Sequence, residues 1–119
     1  MGKYVDAFVI PIKKTNLAKY KKMAKDGCKA WIKHGALSYY ECVGDEFQPY
    51  GLGFKKLCKL KKDETFVFAY IVFKSKSHRN SVNKKVFAEM GDAYKDMKMP
   101  FDMKRFSVAG CTVLVNSKT

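Results

Sequence analysis

The nine residues 65–73 alternate in the manner of a β-strand, yet neither row is polar. Phe66, Phe68, Tyr70 and Val72 fall on one side, and Val67, Ala69, Ile71 and Phe73 on the other. A strand with two apolar faces needs a covering layer on each. Residues 4–12, rich in β-branched and aromatic side chains, predict an earlier strand brought to a stop by Pro11 and Lys13. Thr15 or Asn16 then offers an N-cap, and Leu17, Tyr20, Ala24, Cys28 and Trp31 recur at helical spacing. Gly35 suits the left-handed position that ends such a helix, with His34 beside its last carbonyls. Residues 36–43 read as a second strand, with Leu37, Tyr39, Glu41 and Val43 on one face. After a polar loop over residues 44–53, residues 54–60 alternate apolar side chains with Lys55, Lys56 and Lys59, as a lysine-guarded edge strand does. Ser77 is the expected N-cap of a second helix that carries Val82, Val86, Phe87 and Met90 and closes at Gly91. The turn Met99-Pro100-Phe101-Asp102 leads to a last strand over residues 105–115, again apolar on both faces.

This order predicts an α+β chain: a ferredoxin-like βαββαβ sheet with an extra edge strand, helices on one face and the other face bare. Leaving four large side chains of residues 65–73 in water forgoes roughly 6 to 12 kcal/mol at about 1.5 to 3 kcal/mol each. That rivals the roughly 5 to 15 kcal/mol stability of a whole domain. Two identical faces closing across a two-fold axis recover it against an association cost of about 4 to 15 kcal/mol. The expected partner is therefore a second copy, in a homodimer.

Length and composition narrow the classes. The 119 residues suit one domain, with 47% hydrophobic and 29% charged residues, as in ordinary globular chains. The longest apolar run is half a membrane span, and the first ten residues lack a leader pattern, so a cytoplasmic protein without a membrane partner is expected. Cys28, Cys42, Cys58 and Cys111 show no metal-binding spacing and read as small buried hydrophobes kept reduced. No metal and no cofactor is expected, since no phosphate loop, dinucleotide fingerprint, zinc-protease helix or esterase elbow occurs. Lysine and arginine total 24 against 11 acids, a net charge of +13. Such a charge attracts polyanions, but it is spread along the chain and almost wholly lysine, with Arg79 and Arg105 the only arginines.

Five segments together carry a resemblance: Tyr4-Val5-Asp6-Ala7-Phe8; Trp31 with His34-Gly35-Ala36-Leu37; Tyr39-Tyr40-Glu41-Cys42; Ser77-His78-Arg79 with Val82-Asn83; and Met99-Pro100-Phe101-Asp102 with Lys104-Arg105. In this order they resemble the YbaA-like family of uncharacterised bacterial proteins, across nearly the whole chain. The resemblance implies a dimeric α/β barrel, in which two ferredoxin-like sheets close face to face. It implies no reaction, and function does not transfer from fold alone.

Two polar constellations are candidates for chemistry. Trp31, His34, Tyr39 and Glu41 lie on a helix end and the strand after it, where His34 could carry a proton and Glu41 orient it. The plainer reading has His34 capping a helix, Trp31 in the core and Glu41 in water. Asp6, Arg79, Asn83, Asp102 and Arg105 form the second set, either a structural salt bridge to Asp102 or a cradle for a small anion. Two functions compete with a purely structural or regulatory role: a small-molecule pocket between sheet and helices, or RNA binding on an aromatic sheet carrying Phe8, Phe66, Phe68 and Tyr70. RNA recognition would want a basic residue and glycine where Asp63-Glu64-Thr65 stands. The two make opposite claims about that face, since it cannot both seal a dimer and stack on bases.

Overall fold

The computed structural model describes residues 2–117 and centres on two ten-residue strands, β1 (Tyr4–Lys13) and β3 (Glu64–Phe73). They pair antiparallel along their full lengths, from Tyr4 opposite Phe73 to Lys13 opposite Glu64. Strand β2 (Ser38–Val43) lies outside β3 and β4 (Ser107–Thr112) outside β1, giving an antiparallel sheet of order β2-β3-β1-β4. Helices α1 (Leu17–Lys33) and α3 (Lys76–Tyr94) supply the two crossovers. This is the ferredoxin-like α+β arrangement that the element order predicts. Pro11 is tolerated inside a central strand because β4 pairs only as far as Val9, so that end of β1 has one neighbour.

The two rows of β3 meet different surroundings. Val67, Ala69, Ile71 and Phe73 are buried beneath the helices, along with Ile10 and Ile12 of β1. Phe66, Phe68, Tyr70 and Val72 turn to the opposite face beside Val5, Val9, Tyr40 and Cys42 of the adjoining strands. There Phe68 and Tyr40 are 40% and 53% exposed. The helix-side core falls into two clusters: Ala30, Ala36, Ile71, Phe73, Val82 and Val86 towards one end, and Ile10, Ile12, Tyr20, Val67 and Ala69 towards the other.

Helix boundaries follow local chemistry. Helix α1 ends as its sequence requires, with Gly35 at φ +115°. Its N-cap is Asn16, whose side chain does not cap the helix but donates to the Pro100 carbonyl at 3.1 Å. The cap of helix α3 lies two residues before the expected one: Ser75 Oγ, not that of Ser77, accepts from the His78 amide at 3.1 Å. His78 Nδ1 in turn accepts from the Lys74 amide at 3.0 Å. The helix also runs through Gly91, because Tyr94 in its last turn donates to Asp26 on α1 and holds that turn in place.

The largest departure concerns residues 54–60, where no edge strand forms. A one-turn helix, α2 (Phe54–Leu57), stands there instead. Phe54, Leu57 and Cys58 are spaced three and four apart, a helical period hidden beneath the lysine alternation. Gly51 and Gly53, at φ +61° and +84°, interrupt any extended run leading in. Phe54 stacks on Phe66 at 4.9 Å, so this arm covers one end of the open sheet face. Strand β4 is likewise shorter than residues 105–115, and its residues are exposed. Among the described residues no helix is long and apolar enough to cross a membrane.

Candidate functional site

Strand β2 sends Tyr39 and Glu41 towards the helices, because residues two apart share a face. Tyr20, on the first turn of α1, reaches the same point. Its hydroxyl donates to Glu41 Oε1 at 2.7 Å, and that of Tyr39 donates to Glu41 Oε2 at 2.6 Å. Burial, and then the Glu41 carboxylate with its hydrogen bond, push both phenols far above their ordinary range, so both remain protonated donors. Gly27 on α1 leaves room for this arrangement, since a Cβ there would sit 3.1 Å from the Tyr39 hydroxyl.

A cavity of about 320 Å³ opens beside this group, between the sheet, α1, α3 and the segment leading into β4. Its walls draw on both core clusters, so it occupies the gap between them. Eight aromatic rings line it, among them Trp31, Tyr39, Phe101 and Phe106, together with Met23, Met90, Met99 and Met103. Phe101 and Phe106 stack at 5.6 Å, and Phe101 meets Tyr20 edge-on at 5.9 Å. Glu41 is the one charged side chain in the lining.

A second polar chain runs behind the wall. Trp31 Nε1 donates to Asn83 Oδ1 at 2.9 Å, Asn83 Nδ2 approaches Asp6 Oδ2 at 3.4 Å, and Arg79 Nη1 donates to Asp6 Oδ1 at 2.6 Å. Arg79 also lies over the Tyr4 ring, 4.9 Å from its centre. Asp6, 3% exposed, is thus neutralised and held by two neighbours on one helix face.

The sequence constellations are therefore redistributed. Trp31, Tyr39 and Glu41 share the cavity, whereas His34 and Arg79 stay outside it. His34 does not meet Glu41; its Nε2 lies 3.0 Å from Glu89 on α3, which Lys33 also contacts at 2.8 Å. Lys33 first and His34 second hold the Glu89 carboxyl below its ordinary value. His34 sits on the last turn of α1 and Glu41 farther along β2, so adjacency in sequence did not become contact.

Asp102 pairs with neither arginine; it accepts from the Lys104 amide at 2.9 Å. Arg105 instead grips Glu64 with two 2.8 Å bonds and donates to the Lys59 carbonyl at 2.9 Å. The Arg105 guanidinium holds the Glu64 carboxyl at about 2. Arg79 and Asn83 do share a helix face, but Arg105 serves a separate contact at the arm.

Tyr20 and Glu64 were not among the expected polar partners. Tyr20 reads as one more apolar position in the helical period, and nothing local marks where its hydroxyl points. None of the four cysteines is buried as expected: Cys28 and Cys58 are half-buried, and Cys42 and Cys111 are exposed because they lie on the open sheet face. Among the described residues no group of three or more His, Cys, Asp or Glu side chains could hold a metal ion.

A family described as a protein of unknown function, DUF1428, matches residues 3–103. The chain belongs to this DUF1428 family. Among its relatives is the uncharacterised protein YbaA of Escherichia coli K12, 29% identical over 116 residues that cover 96% of this chain and 98% of the relative. YbaA of Shigella flexneri is similar to the same extent. The likeness to YbaA-like proteins carried by the five sequence segments is thereby borne out. Among solved structures, a dimeric ferredoxin-like protein from an uncultured marine organism superposes with a TM-score of 0.60 at 10% identity, covering 98% of this chain and all of that one. That likeness concerns the fold.

Proposed function

We propose that this DUF1428 protein is a homodimer that binds a small apolar molecule in the cavity of each subunit. One observation carries the ligand reading: a cavity of about 320 Å³ persists where a ferredoxin-like core would ordinarily be filled, and it holds a single carboxylate anchored by two phenols. Ligand pockets have this composition, mostly apolar walls with a few fixed polar groups. Close packing is the norm in cores, and a half-open apolar hollow of this size leaves its walls without those contacts. Retaining it is reasonable where a ligand supplies those contacts.

The dimer reading rests on the open sheet face, where Phe68 and Tyr40 are 40% and 53% exposed. Two such faces closing together form the dimeric α/β barrel that the family resemblance implies. The similar marine protein, itself described as dimeric, supports the same assembly. RNA is the competing occupant of this face, favoured by the Tyr40–Tyr70 stack at 5.1 Å and the +13 charge.

Trp31 is the sole tryptophan and lines the cavity, so its emission reports on occupancy directly. Titration with the neutral probe N-phenyl-1-naphthylamine should quench Trp31 saturably. Gly91→Phe should abolish the response, since Gly91 lines the cavity and nothing lies within 4 Å of a Cβ placed there. An unchanged response in that variant would place the probe elsewhere and refute the pocket. Light scattering should return twice the 13.6 kDa of one chain, whereas a monomer with salt-dependent RNA affinity would replace the dimer by the RNA reading.

A further inference from the structure

We infer that the cavity selects an organic cation, an aromatic or aliphatic amine whose ammonium sits against Glu41. This assignment rests on the cavity being a ligand site and adds the chemical class of what enters it.

Counting hydrogen-bond donors is the first argument. The polar side chains in the lining are Tyr20, Trp31, Tyr39, Glu41 and Tyr94. Every donor among them is already committed: Tyr20 and Tyr39 to Glu41, Trp31 to Asn83, and Tyr94 to Asp26. A ligand carboxylate, phosphate or carbonyl entering the cavity finds no free side-chain donor. Glu41, by contrast, accepts one bond on each oxygen and keeps further lone pairs on both. The wall is built to accept, so the ligand must donate.

Charge points the same way. The chain carries 24 lysines and arginines, yet none among the described residues lines this cavity. No ion pair to Glu41 exists among the described residues. Glu41 also borders a second hollow that carries Lys21 and Lys25, but neither lysine reaches Glu41 within ion-pair distance. Glu41 is half-buried and held by two phenols but has no cationic partner among the described residues, so a ligand ammonium can add the countercharge on its apolar side. The aromatic rings complete the argument, because their faces attract ammonium groups and repel anions.

The test compares three probes of similar size by Trp31 emission: phenethylamine, 2-phenylethanol and 3-phenylpropionate. Phenethylamine should bind at least about tenfold tighter than the alcohol, with the carboxylate weakest. Glu41→Gln should erase the preference for the amine while the alcohol still binds. Equal affinity for amine and alcohol in the wild-type protein overturns the cation assignment and leaves the pocket standing. So does an amine preference that survives Glu41→Gln. The wild-type comparison decides by itself if that variant does not fold. Silence from all three probes, and from N-phenyl-1-naphthylamine, overturns the pocket and the cation assignment together.

Discussion

Replacing Arg105 by methionine should destabilise the protein in a pH-dependent way whose size follows from the contacts of Glu64. The Glu64 side chain is 6% exposed and receives two 2.8 Å bonds from Arg105, with a further 2.8 Å bond from the Lys61 amide. A carboxyl held at about 2 rather than its ordinary 4.5 corresponds to at most about 3 kcal/mol. Solvent around the partly open guanidinium reduces this to roughly 2 kcal/mol. Because the folded value is depressed, the stabilisation is complete above about pH 4.5 and is lost as pH falls towards about 2. Arg105→Met should therefore lower unfolding stability by about 2 kcal/mol at pH 7, and the gap to wild type should narrow steadily below pH 4.5. Urea unfolding followed by Trp31 emission, at one fixed protein concentration and several pH values, measures it. A gap of equal size at pH 7 and pH 3 would show that packing of the Arg105 stem, and not its charge, carries the contact. Such a result would refute the reasoning.

Three further expectations use the same unfolding assay. Asp6→Ala leaves Arg79 and Asn83 without their shared carboxylate and should cost roughly 3 to 5 kcal/mol, a loss below about 1 kcal/mol contradicting the polar chain as drawn. Ser75→Ala removes the hydroxyl that caps α3 and should cost about 1 kcal/mol, while Ser77→Ala, which loses only an exposed 3.2 Å contact to the Ser75 hydroxyl, should be close to neutral. Tyr20→Phe and Tyr39→Phe should each cost about 1.5 kcal/mol and the double variant more than their sum, because only the pair leaves Glu41 without a donor; simple additivity would count against that.

Much of the backbone was legible along the chain. Alternation of side chains located β1, β2 and β3, and the three-and-four spacing located both long helices, since these periods follow from backbone geometry alone. Residues 54–60 misled because seven residues with three lysines satisfy a strand and a helix pattern alike, and the choice fell to Gly51, Gly53 and the Phe54–Phe66 stack. The candidate site was half legible. Tyr39 and Glu41 share a face by strand geometry, and Arg79 and Asn83 by helix geometry, so each pair was readable locally.

Which pair meets which was not readable, because it depends on contacts between segments far apart in the chain. Tyr20 reaches Glu41 across 21 positions, Arg105 reaches Glu64 across 41, and Arg79 reaches Asp6 across 73. A side-chain period states the direction in which a residue points but not what stands opposite. The double-sided apolar character of residues 65–73 was fixed by sequence alone, as a strand with two hydrophobic rows must find two covers. Only the tertiary structure decided that the helices cover one row incompletely, leaving a cavity around Glu41, because the shape of a void is a property of all its walls at once.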